Sequence, residues 1–81
     1  MTGLDTLSRG DAELNKVKWL TKREREVLAL LARGYSNREI SGLLVIGKGT
    51  LEHHLHSIFR KLGVKSRTEA VIYALTHSTM R

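Results

Sequence analysis

Between Thr21 and Ala70 a hydroxyl residue is followed three positions later by glutamate three times, as Thr21/Glu24, Ser36/Glu39 and Ser66/Glu69. Each pair has the spacing of a capping box. The hydroxyl accepts a hydrogen bond from the third helical N–H while the carboxylate reaches back to the N–H of the cap, so each pair marks where a helix begins. The stops are equally legible. Gly34 closes a helix expected from Lys22 to Arg33, and Val45-Ile46-Gly47 interrupts the short helix that Ser36 opens. Gly63 ends a longer helix that runs to Leu62, in the left-handed conformation that glycine tolerates. A last helix is expected from Arg67 to Thr76 or His77, and no proline interrupts any of them. The predicted fold is all-α, a four-helix bundle.

Apolar spacing says which face of each helix turns inward. The first helix places Val27, Leu28, Leu30 and Leu31 on a broad stripe, with Lys22, Arg25 and Arg33 outside as a solvated face. In the second, Tyr35 before the cap and Ile40 at the fourth helical position have the arrangement of a hydrophobic staple, and Ile40, Leu43 and Leu44 are expected to point inward. Gly42 within it costs about 1 kcal/mol relative to alanine, so this helix depends on its neighbours. In the fourth helix Ala70, Val71 and Ala74 share one face.

Short helix, tight turn, longer helix is the helix-turn-helix layout, whose second helix can enter a DNA major groove. At about 100° per residue from Leu51, the residues Leu55, Ile58, Phe59 and Leu62 fall within about 80° and form a buried stripe. On the opposite side Gly49, His53, His56 and Arg60 fall at about 160°, 200°, 140° and 180°, flanked by Glu52 and Ser57. That face offers short directional donors and acceptors, which base edges require, whereas phosphates require only positive charge. Charge gathers at its margins instead, as Lys48 at the start, Arg60 and Lys61 near the end, and Lys65 and Arg67 just beyond. Asn37, at the start of the second helix, can sit against a phosphate because free N–H groups there attract anions, or can simply face solvent.

Composition agrees with a polyanionic partner. The 81 residues carry 14 Lys and Arg against 8 Asp and Glu, a net charge of +6, with an isoelectric point near 10.2. Charge alone does not separate nucleic acid from an anionic surface. The absence of cysteine removes disulfides, thiolate zinc sites and thiol nucleophiles together. No apolar run approaches the roughly 18 residues of a membrane span, so the chain reads as soluble and cytoplasmic. Residues 1–18 are mixed and polar and are read as a flexible arm or linker, in which Asp11 to Val17 could form a helical turn or two; residues 19–81 form the helical domain. A chain of this size has no room for a deep catalytic cleft.

The runs Leu20-Thr-Lys-Arg-Glu-Arg-Glu-Val-Leu, Gly34-Tyr-Ser-Asn-Arg-Glu-Ile, Thr50-Leu-Glu-His-His and Arg60-Lys-Leu-Gly-Val-Lys-Ser-Arg-Thr-Glu-Ala-Val resemble, in order and spacing, the LuxR-type (GerE-like, NarL/FixJ) helix-turn-helix domain of bacterial transcriptional regulators. The resemblance implies a four-helix domain that binds double-stranded DNA as a dimer, often as the output part of a receiver or ligand-sensing protein, with RNA polymerase a further candidate partner. It implies base contacts from Gly49, Glu52, His53 and His56, and phosphate contacts around Thr50, Arg60 and Lys61. Two positions depart from the family pattern. Gly47 stands where serine usually caps the recognition helix, at a cost of a few tenths of a kcal/mol, and Gly49 stands where a cation is frequent.

Rival readings exist for several of these residues. Glu52, His53 and His56 lie close enough on one helix to suggest a metal site, but an exposed single helix supplies no further converging ligands or supporting shell, and no metal or other cofactor is expected. Arg60 and Lys61 can be solvated charge. His54 is expected to pack or hydrogen-bond at the core edge. On the last helix Ile72 lies opposite the core face, with Leu75 and Thr76 beside it, forming a small apolar patch that suits a twofold dimer, although a single exposed isoleucine is ordinary. The alternative to a sequence-specific regulator is a basic adaptor module that docks on an acidic protein. An enzyme lacks any nucleophile with its base, metal cage or nucleotide loop. Recognition of RNA by stacking is disfavoured by only four scattered aromatics, Trp19, Tyr35, Phe59 and Tyr73.

Overall fold

The computed structural model describes residues 15–77, and these are all-helical, with no strand among the described residues. A 3-10 turn at Lys16–Trp19 leads into α1 (Lys22–Ala32), α2 (Asn37–Leu44), α3 (Lys48–Leu62) and α4 (Arg67–His77). The first two capping boxes form as expected. Glu24 N–H donates to Thr21 Oγ1 and Thr21 N–H to Glu24 Oε1, and Ser36 and Glu39 repeat the exchange at α2. The third differs. Glu69 N–H donates to Ser66 Oγ, but the Glu69 carboxylate reaches one residue further and takes the N–H of Lys65 at 2.8 Å.

One hydrophobic core joins the elements, with α1, α3 and α4 packed around Val27, Leu28, Leu31, Leu51, Ile58, Leu62, Ala70 and Ala74, and α2 anchored through Ile40. Burying each of the larger side chains contributes on the order of 1.5–3 kcal/mol, so the inward stripe of α3 holds that helix firmly against α1. Leu30, Leu44, Val71 and Phe59 pack at the core's edge, and Tyr35 packs there too, on the same core as Ile40. Leu43 corrects the expectation for α2: it is 57% exposed. It lies about 60° round the helix from Ile40, on the side away from Leu44. With only two turns, α2 turns a narrow strip towards α1 and α3.

Residues 1–14 of the expected arm lie outside the described residues, but 15–18 are not free of the fold. Val17 is buried, Asn15 caps the 3-10 turn by accepting from Val17 N–H, and Lys16 N–H donates to Tyr73 Oη at 2.7 Å, which straps this segment to α4. Among the described residues of the arm, Val17 is an apolar anchor that its polar composition hid.

The break between α2 and α3 is made by Val45, which adopts the left-handed conformation at φ 56° and is 87% exposed. A β-branched residue is strained there, because its branched Cβ crowds the following carbonyl. Gly63 performs the corresponding job after α3 at φ 73° without strain, and its N–H closes onto Phe59 and Arg60 carbonyls.

Candidate nucleic-acid interface

Helix α3 is 15 residues long and buries Leu51, Leu55, Ile58 and Leu62. On its other side Gly49, Thr50, Glu52, His53, His56 and Arg60 are all exposed, so the residues expected to face a base-pair stack share one continuous outward strip. The rigidity of that strip comes from the leucines behind it, since each imidazole sits within a turn of a buried anchor. Gly47 caps α3 with its backbone alone, at φ −75° and ψ 165°, and no side chain accepts from the first turn. His54 is half-buried at the core edge, as its angle indicates. Among the described residues no group of three His, Asp or Glu is placed to hold a metal ion.

The cations expected at phosphates divide into two groups. Lys48, Arg60 and Lys65 are exposed. Lys61 is instead drawn inward: its ammonium lies 2.8 Å from Glu24 Oε1, a carboxylate of α1 that is itself buried. Ser57 Oγ donates to the other oxygen of Glu24. Burial pushes the Glu24 carboxyl up, but the hydrogen bonds from Lys61, Ser57 and Thr21 N–H, together with the positive charge of Lys61, outweigh it and hold its pKa down at about 2. Arg67 is likewise engaged, donating to Asn37 Oδ1 and to the carbonyl of Tyr35, and so ties the start of α4 to the start of α2. Asn37 and Arg67 therefore partner each other.

One feature of this face was not visible in the sequence. Between α2 and the start of α3 lies an open cleft of about 420 Å³, lined by Asn37, Arg38, Ser41, Lys48, Leu51 and Glu52. It brings Arg38, to which the sequence analysis gave no role, beside Lys48 and Glu52. The signal that could have found it is positional, because Arg38 and Ser41 are three apart on α2 and Lys48 is three from Leu51 and four from Glu52 on α3.

On α4, Ile72 is 54% and Leu75 62% exposed, while the Thr76 hydroxyl donates back to the Ile72 carbonyl at 2.9 Å. No described helix is long and apolar enough to cross a membrane.

Comparison with known proteins places this geometry. The response regulator protein VraR of Staphylococcus aureus (strain Mu3 / ATCC 700698) is 47% identical over 62 residues, which cover 76% of this chain and 30% of that relative. Proteins of the same name from Staphylococcus saprophyticus and Staphylococcus epidermidis match to the same extent, so the matched part spans under a third of the length of these curated relatives. The model of the family described as bacterial regulatory proteins, luxR family, matches residues 18–74, the span that holds α1 to α3, most of α4 and the exposed strip of α3. A helix-turn-helix with its second helix presented in this way, matched over that whole span, makes the chain a member of the luxR family of bacterial regulatory proteins, a family of DNA-binding transcription regulators.

Proposed function

We propose that this domain recognises a specific double-stranded DNA sequence by laying α3 in the major groove, and that two copies do so together on inverted half-sites. The observation that carries the reading is the strip of Gly49, Glu52, His53, His56 and Arg60, exposed in full along a helix whose reverse face is locked in the core. In this reading His53 and His56 donate to or accept from base edges, Glu52 accepts from a cytosine amino group, and Gly49 lets the backbone approach the bases closely. Lys48, Thr50, Arg60 and Lys65 contact the phosphates on either side. Ile72, Leu75 and Thr76 form the twofold contact, which presents two α3 helices roughly 34 Å apart, one turn of DNA. The name of the relatives, response regulator, supports placing this domain as the non-catalytic output part of a signal-controlled protein.

Selection of bound duplexes from a random pool tests the reading as a whole. The expected outcome is a pair of inverted half-sites that displace bound protein far better than scrambled duplex. Equal displacement by both would leave a basic module without sequence preference, the adaptor class.

A further inference from the structure

We infer that the turn leading into α1 carries a second docking surface, with Trp19 as its anchor and Lys18, Lys22 and Arg25 as a cationic rim, and that its partner is an acidic protein surface with an apolar notch for the indole. None of these residues belongs to the exposed strip of α3, so the inference goes beyond the DNA reading and does not depend on it.

Trp19 is 57% exposed, although Val17 and Leu20 on either side of it in the turn are buried. The turn itself is fixed. Asn15 accepts from Val17 N–H, Leu20 N–H donates to the Val17 carbonyl at 3.0 Å, and Lys16 N–H donates to Tyr73 Oη. The indole is therefore held out to solvent by a tethered backbone, and little chain entropy remains to be lost when a partner covers it. Tryptophan is among the residue types enriched at interface hot spots, because it brings a large contact area at the cost of ordering only two side-chain angles.

The residues around the ring carry uncompensated positive charge. Lys18 and Lys22 are exposed, and their side chains form no ion pair or hydrogen bond with the described residues. Arg25 is exposed as well, and its guanidinium donates to the Leu20 carbonyl at 2.9 Å, which sets it against the turn. The carboxylates nearby in the chain are already taken. Glu24 is buried on Lys61, and Glu26 pairs with Arg23 at 3.3 Å. An apolar centre with a charged rim is the plan of a protein interface, and a positive rim calls for a negative one opposite.

Two other anionic partners fit less well. Duplex DNA keeps its bases stacked and paired, whereas an aromatic side chain gains from stacking on unpaired ones. A membrane surface holds a helix through a broad apolar face, and that face of α1 is buried in the core through Val27, Leu28 and Leu31.

The test selects peptides from a displayed random library for binding to the full chain. Trp19 is the only tryptophan, so its emission reports directly whether the ring becomes covered. The selected peptides are expected to carry Asp or Glu around an aliphatic or aromatic residue and to shift that emission to shorter wavelength. Trp19→Ala should weaken them by roughly tenfold or more. Joint Lys18→Gln and Lys22→Gln should weaken them and reduce their salt dependence. Arg33→Gln, which removes an exposed cation just past the far end of α1, should leave their binding unchanged. Circular dichroism checks that helix content is the same in every variant, and the emission shift of the unaltered protein needs no variant. Peptides that bind Trp19→Ala as tightly and leave the emission of the unaltered protein unmoved would overturn the inference. A shift produced at least as readily by vesicles of phosphatidylcholine and phosphatidylserine, or by scrambled duplex, would assign the surface to lipid or nucleic acid and overturn it equally.

Discussion

Ser57 Oγ donates a hydrogen bond of 2.7 Å to Glu24 Oε2, joining the middle of α3 to the first turn of α1. Because Glu24 Oε1 also takes Lys61 Nζ and Thr21 N–H, one carboxylate caps α1 and grips α3 at two points a turn apart. Such a grip resists rotation of α3 about its own axis, which would otherwise turn the exposed strip of His53 and His56.

Stability should therefore depend on acid in a defined window. The Glu24 carboxyl is held at about 2 against an ordinary 4.5, so the folded state binds its proton less readily than the unfolded chain. Its contribution is complete above pH 4.5 and is lost as pH falls through that value towards 2, on the order of 3 kcal/mol in all. Urea midpoints measured from pH 7 downwards should fall in that interval, and Glu24→Gln should flatten the fall while lowering stability at neutral pH.

Arg60 and Lys61 are neighbours in sequence with opposite expected phenotypes. Arg60→Ala should weaken binding to every duplex and reduce the salt slope by about one. Lys61→Ala should leave the slope intact and destabilise the fold by about 2–3 kcal/mol, since it strands a buried carboxylate without its cation. Equal slopes in the two variants would return Arg60 to bulk solvent.

His53→Ala and His56→Ala should each cost about 1–3 kcal/mol on the selected duplex and little on scrambled DNA. A uniform loss across sequences would reassign the imidazoles to phosphates.

Val45→Gly should stabilise the domain by about 1 kcal/mol. It relieves a β-branched side chain at positive φ, and the relief exceeds the added entropy of glycine in the unfolded chain. Thermal midpoints measure this directly, and an unchanged or lowered midpoint would mean that the turn stores no strain.

Ile72→Glu, an exposed change, should leave the monomer's stability within about 0.5 kcal/mol. It should reduce binding to a duplex with two inverted half-sites while sparing a single half-site. Parallel loss on both would remove α4 from the twofold contact.

The sequence by itself determined where the helices begin and end and which side of α3 turns to the core. Those are local matters: a hydroxyl three residues before a glutamate, a glycine after a leucine and an apolar repeat every three or four positions act within one or two turns. It also carried enough motif to indicate the family. Tertiary structure alone decided which charged groups are free. Lys61 and Arg67 read as open cations until α1, α2 and the turn between them supply Glu24, Asn37 and the Tyr35 carbonyl as partners, from 30 or more positions away in the chain. Val17, too, is an unremarkable residue of a polar segment until the core covers it and Tyr73 of α4 takes the N–H of its neighbour Lys16, and Arg38 is one more basic side chain until α3 packs beside it and forms a cleft. Periodicity records how a helix meets the core, but pairing between side chains distant in the chain depends on how the helices are set against one another, and no local pattern encodes that.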